Sequence, residues 1–136
     1  MAASVLVDAS FLVALLTRRD SKHTWAAATA VRHAPPWKTC EAALSEAFFL
    51  LGTRGTPALA ALIRRRAVVC SYNLGDDSDA VLALMHKYRD VPMSLADACL
   101  VRMTETLGKA TLLTTDADFR IYRRHGRKTI PCVLPG

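Results

Sequence analysis

The stretch Val5-Leu6-Val7-Asp8-Ala9-Ser10-Phe11-Leu12-Val13-Ala14-Leu15-Leu16 is apolar apart from Ser10 and one carboxylate. Val5 to Val7 read as the end of a buried strand, because a continuous aliphatic run with β-branched members suits a sheet covered on both faces. Phe11 to Leu16 read as a buried helix. Asp8 therefore stands where a strand ends and a helix begins. In open α/β sheets, ligands bind at that carboxyl-end rim. The other acidic positions of interest are expected to fold around this one.

Working outward, His23 to Arg32 is Ala-rich and reads as a helix closed by His33-Ala34-Pro35-Pro36, and Trp37 to Cys40 as a short strand. Glu41 to Leu51 reads as a helix, since Leu44, Ala47, Phe48 and Leu51 recur at steps of three and four, and Gly52 and Gly55 are expected to stop it. A helix with Pro57 early in it runs to about Arg66, where proline is tolerated. Ala67 to Tyr72 reads as a strand. A helix opened by Asp76, Asp77, Ser78 and Asp79 runs to Tyr88, its acidic first turn suiting the helix dipole. Ser94-Leu95-Ala96-Asp97 has capping-box spacing and starts a helix to about Leu107. Ala110 to Leu113 is a strand that ends in Thr114-Thr115-Asp116-Ala117-Asp118. Phe119 to His125 reads as a short helix and Thr129 to Leu134 as a last strand, with Pro131 implying an edge. Strands alternate with helices, which predicts an α/β fold with a parallel sheet of about four or five strands between helices.

The 136 residues fit a single domain spanning 1–136. A net charge of +6, from 18 Lys and Arg against 12 Asp and Glu, favours an anionic partner such as nucleic acid without demanding one. Cys40, Cys70, Cys99 and Cys132 have no C-x-x-C spacing and no adjacent His, which argues against zinc. Each lies in an apolar run, so buried free thiols in a reducing compartment are expected. No basic n-region precedes the first apolar stretch and no run is long enough to span a bilayer, so the expected location is cytoplasmic, away from the membrane.

Asp8 and Asp116 end strands, and Glu46 and Asp97 sit in apolar helical settings. Acidic side chains are rarely buried unless paired or bound to metal. A shared hard cation, Mg²⁺ or Mn²⁺, is one reading, since carboxylates without His or Cys nearby are hard oxygen ligands. The plain alternatives stand beside it: Asp97 completing a capping box, Asp116 capping the following turn, Glu46 on a solvated helix face. A phosphate-accepting receiver domain fits poorly, because Val7 and Ala9 flank Asp8 where a second acid is needed. A haloacid-dehalogenase-type phosphatase fits poorly too, because Ser10 replaces its second acid.

Taken together, Val5-Leu6-Val7-Asp8-Ala9-Ser10, Leu44-Ser45-Glu46-Ala47, Leu95-Ala96-Asp97-Ala98 and Thr114-Thr115-Asp116-Ala117-Asp118-Phe119 resemble the PIN-domain ribonucleases, and within them the VapC-type toxins of toxin–antitoxin pairs. The resemblance covers nearly the whole chain. It implies a three-layer α/β/α sandwich and an Mg²⁺- or Mn²⁺-dependent endoribonuclease. Asp8, Glu46, Asp97 and Asp116 would be its catalytic metal ligands, Glu46 being preferred over Glu41. Asp118 would be auxiliary, and Ser10 and Thr114 would orient the carboxylates. It further implies an RNA substrate, a homodimer, and a small antitoxin whose tail lies near Phe11, Trp25, Phe48 and Phe49. Arg120, Arg123, Arg124, Arg18 and Arg19, with Lys22, Arg127 and Lys128, are candidates to rim the site and grip RNA. The alternative is a catalytically inactive PIN-like module that binds RNA or protein without cutting.

Overall fold

A computed structural model describes residues 3–136. Five parallel strands form the sheet, in the order β3-β2-β1-β4-β7. They are β1 (Ser4–Val7), β2 (Trp37–Thr39), β3 (Val68–Cys70), β4 (Ala110–Leu113) and β7 (Cys132–Val133). The helices are α1 (Ala9–Leu16), α2 (His23–Arg32), α3 (Glu41–Arg64), α4 (Ser78–Lys87) and α5 (Leu95–Thr106). β5 (Arg123–Arg124) and β6 (Lys128–Thr129) make a separate antiparallel hairpin. The alternation of strand and helix therefore produces the three-layer parallel architecture expected from it.

The central strands carry the division into layers. Successive strand side chains point to opposite faces. Leu6 and Leu112 accordingly join one core with Ala96, Cys99, Leu100, Met103, Phe119 and Tyr122, while Val7 and Leu113 join another with Phe11, Leu12, Trp37, Leu59 and Val68. Phe11 is fully buried, meeting the rings of Trp25 and Trp37 edge-on at 6.0 and 5.5 Å. Burial of such a side chain contributes roughly 1.5–3 kcal/mol.

Gly52 breaks the helix as expected: its φ 65°, ψ −170° is non-helical, so the α3 span is two helical segments that meet at a kink. That backbone region is open to glycine alone, and the helix resumes at once with Pro57 inside it. Two local expectations are corrected. Phe119 to His125 is not a helix: a 3₁₀ turn at Ala117–Arg120 leads into the β5–β6 hairpin, whose bend uses positive φ at His125 and Gly126. The last strand shrinks to Cys132–Val133 at the sheet edge, because Pro131 lacks the N–H that a longer ladder needs. The cysteines are free but not uniformly buried: Cys40 and Cys99 are, Cys132 is partly covered and Cys70 is exposed. β3 is an edge strand, which is why Cys70 is open. Among the described residues, no helix is long and apolar enough to cross a membrane.

Candidate metal centre

The chain leaves β1 for β2 on one side of the sheet and later reaches β4 on the other. The gap beyond β1 and β4 is thus the topological switch point, where open α/β sheets bind ligands. The register pairs Val7 with Leu113, so Asp8 and Thr114 emerge side by side just past the last ladder pair.

Asp8 is held from several directions. Oδ1 accepts from the Ala9 N–H at 2.8 Å, capping α1. Oδ2 accepts from the Ser10 and Thr114 hydroxyls at 2.8 and 2.9 Å. Those hydroxyls in turn accept from the backbone N–H groups of Thr115 and Asp116, at 3.0 and 2.9 Å. Two backbone donors of the β4 loop are therefore relayed through two hydroxyls onto one carboxylate oxygen. This locks the end of β1 to the start of the Thr-Thr-Asp segment and orients Asp116.

Asp97 is also buried. The capping box forms, with Ser94 Oγ accepting from the Asp97 N–H at 3.0 Å and Asp97 Oδ2 accepting from the Ser94 N–H at 3.4 Å. Capping is not its whole environment, because the Tyr122 hydroxyl donates to the same Oδ2 at 2.9 Å. Tyr122 is fully buried, with Tyr88 and Phe119 edge-on at 5.2 and 5.3 Å. Asp116 caps the following turn through Oδ1, which accepts from the Asp118 N–H at 2.9 Å. Asp118 is partly buried beside it. Glu46 departs from the apolar setting suggested by its neighbours: it is exposed, since Ala43 and Ala47 take the buried face of α3.

These four acids lie within reach of one another's charge. Burial pushes the Asp8 carboxyl up to about 6; hydrogen bonds from Ser10 and Thr114 oppose this, and the charges of Asp97 and Glu46 add to it. Glu46 is raised by partial burial and then by Asp97 and Asp116. Asp97 is raised by burial, against the pull of Tyr122, with Asp116 adding to the rise. Among the described residues, none of the four forms an ion pair with Lys or Arg. Nor do any three His, Cys, Asp or Glu side chains converge tightly enough, as they stand, to ligate one ion.

The basic candidates separate by what they touch. Arg120, Arg127, Lys128, Arg18, Arg19 and Lys22 are exposed. Arg18 and Arg19 share a shallow depression with Arg54, which the sequence reading did not single out. Arg123 and Arg124 do not rim the site freely. The Arg123 guanidinium donates to the carbonyls of Arg120, Ile121 and Tyr122, and that of Arg124 to the carbonyls of Thr104 and Gly108 at the end of α5. They brace the hairpin that follows Tyr122. Tyr122 itself was also missed, because an aromatic inside an expected helix carries no sign that its hydroxyl meets a carboxylate 25 residues away.

A family profile for the PIN domain matches residues 5–124. Among curated proteins no significant match is found. Among solved structures, the chain is similar to VapC20 of Mycobacterium tuberculosis, a sarcin–ricin-loop-cleaving toxin, at 26% identity and a TM-score of 0.72, over 85% of this chain and 92% of that one. The matched span runs from β1 through the β5 strand and so contains the switch point and all four acids. The chain belongs to the PIN-domain family and, within it, is of VapC-like build.

Proposed function

We propose that this protein is a divalent-metal-dependent endoribonuclease, acting as the toxin of a VapBC-type toxin–antitoxin pair. One observation carries the reading. A buried carboxylate at the switch point, held by the Ser10 and Thr114 hydroxyls, has no cation paired to it among the described residues, and burial, with the charges of Asp97 and Glu46, pushes it up to about 6. Like charges gathered without compensation favour a bound cation.

The donor set fits Mg²⁺ or Mn²⁺, being all oxygen. Such an ion takes one or two protein carboxylates and keeps several waters, which suits acids that share a field without forming a closed cage. Asp8, Asp97, Asp116 and Glu46 would hold it, with Asp118 auxiliary. Bound there, the ion would lower the pKa of an attacking water and offset charge growing on the phosphoryl oxygens. Ser10 and Thr114 keep one oxygen of Asp8 fixed, and Tyr122 does the same for Asp97. Both acids are therefore oriented before substrate arrives. Exposed Arg120, Arg18 and Arg19 would steer the RNA backbone, giving salt-sensitive binding.

The partner proposals rest on the same likeness. Phe11 is spent in the core, which removes it as a free contact for an antitoxin tail, whereas Trp25 packs edge-on against it and is only partly buried. Phe49 is 84% exposed, one turn from Glu46 on α3, and supports an apolar contact beside the acids. A homodimer is likewise proposed.

The test is incubation of the purified protein with structured ribosomal RNA in Mg²⁺, Mn²⁺ or excess EDTA. Cleavage that needs metal and disappears in Asp8→Asn is expected. Cleavage persisting in EDTA would overturn the metal mechanism, and RNA binding without cleavage in either metal would favour the inactive module.

A further inference from the structure

We propose that a hollow beside the acids is a nucleobase subsite that selects guanine in single-stranded RNA next to the cleaved bond. This rests on the ribonuclease reading and extends it to the choice of substrate. The hollow has a volume of about 260 Å³ and is walled by Ala42, Tyr72, Leu74, Leu95 and Cys99, with Glu41 among them. Ala42 and Leu95 also line the shallow groove that contains Glu46 and Ser94. The two depressions therefore share two walls, and Leu95 lies two residues from Asp97. A strand whose phosphate met the acids would have a neighbouring base at the mouth of the hollow.

Size and chemistry limit the occupant. Sites for whole drug-sized ligands usually span roughly 300–1,000 Å³, so this volume suits one heterocycle rather than a complete nucleotide. Its walls are mostly apolar, and one of them is an aromatic ring that cannot turn freely. The Tyr72 hydroxyl donates to Asp77 Oδ2 at 2.5 Å, and Asp77 takes the Arg102 guanidinium through two bonds of 2.7 and 2.9 Å. Single-stranded RNA is read by such means: bases splayed onto aromatic faces, with their Watson–Crick edges hydrogen-bonded.

Glu41 supplies the edge contact. It lines the hollow, is exposed, and among the described residues has no ion-pair partner. An ionised carboxylate is an acceptor at both oxygens. Guanine alone presents two adjacent donors, N1–H and N2–H, on its Watson–Crick edge. Adenine and cytosine pair one donor with an acceptor there, and uracil flanks its single donor with two acceptors. Guanine therefore meets both oxygens of Glu41, whereas every other base sets an acceptor against one of them.

The experiment has two arms. In the first, 5′-GMP and 5′-AMP are titrated into the metal-free full chain, with NMR shifts at Tyr72 and Leu74 as the readout. GMP is expected to bind at least about tenfold more tightly, and Glu41→Gln to reduce GMP to the AMP level. Leu74→Trp, which fills the hollow from a lining residue outside the acidic set, should abolish both. In the second arm, 5′ ends are mapped after cleavage of ribosomal RNA. Wild type should cut with guanine at a fixed position beside the break, and Glu41→Gln should lose that preference. Metal-dependent cleavage with no preferred base, together with equal GMP and AMP binding, would overturn the subsite and leave the ribonuclease reading intact. Selective GMP binding without cleavage in any metal would support the subsite and sink the ribonuclease reading. GMP binding unchanged in Leu74→Trp would overturn the assignment of the hollow.

Discussion

Two acidic clusters on the same molecule face opposite fates. Asp77, ahead of α4, meets the Arg102 guanidinium at 2.7 and 2.9 Å, and Arg102 also reaches Glu105 at 3.0 Å. Arg102 holds the Asp77 carboxyl below the usual range, and the Tyr72 hydroxyl adds to that. Asp8 has hydroxyl and N–H donors but, among the described residues, no paired cation, and its carboxyl rises to about 6. One cluster is complete within the chain. The other is short of positive charge. A carboxylate that already has its counter-ion stabilises the fold, whereas one that lacks it costs stability until a ligand supplies the charge.

Substituting one acid from each cluster gives the largest contrast. Asp8→Asn should lower RNA cleavage on the order of 10³-fold, as expected when a group stabilising developing charge is removed. Its metal-free stability, read by urea denaturation at pH 8, should be unchanged or higher. Asp77→Asn should do the reverse. It should keep cleavage within a few-fold and cost about 1–2 kcal/mol, because a charge-assisted network partly open to solvent is weakened. An active but destabilised Asp8→Asn would erase the distinction between the clusters.

Stability against pH sharpens the same contrast. The folded Asp8 carboxyl, at about 6, lies above its ordinary 3.8. Its contribution is therefore fully present below 3.8 and is lost as pH rises through 6. The ceiling on that loss is about 3 kcal/mol. Asp77 is lowered, so its contribution is present above the ordinary carboxylate range and is lost as the medium becomes more acid. Metal-free protein should thus lose stability between pH 4 and about 6, in step with the Asp8 titration. Mn²⁺ or Asp8→Asn should flatten that decline, while Asp77→Asn should leave it in place. Thermal melts across that range, with and without Mn²⁺, provide the check.

The smallest effect concerns Tyr122. Tyr122→Phe retains the ring packed on Tyr88 and Phe119 and removes only the donor to Asp97. Mn²⁺ affinity by calorimetry should fall about tenfold, the lower end for partners that orient metal ligands. The melting temperature should move by only a few degrees, as for one hydrogen bond. Unaltered Mn²⁺ affinity would reduce Tyr122 to a core aromatic.

How much of this was legible along the chain varied with the kind of signal. The β1–Asp8–α1 unit could be read because its apolar run, the carboxylate and the start of α1 are contiguous. The capping box at Ser94 could be read because its two residues are three apart. For Glu46 the solvated helix face is the reading that holds, because Ala43 and Ala47 take the buried side of α3. The helix expected over Phe119 to His125 gives way to a 3₁₀ turn and the first strand of the β5–β6 hairpin, because the bend depends on backbone conformations at His125 and Gly126 that composition does not announce.

By itself the sequence determined the alternation of strands and helices, the layered sheet and the acids that end its strands, since each follows from residues adjacent on the chain. The strand order, the hydroxyl relay from Thr114 to Asp8, the Tyr122 bond to Asp97 and the counter-ion at Asp77 were decided only by tertiary structure. The three bonds join groups between 25 and 106 residues apart. Their meeting depends on sheet register and helix packing, and so does whether an acid finds a cation of its own or is left to take one from outside.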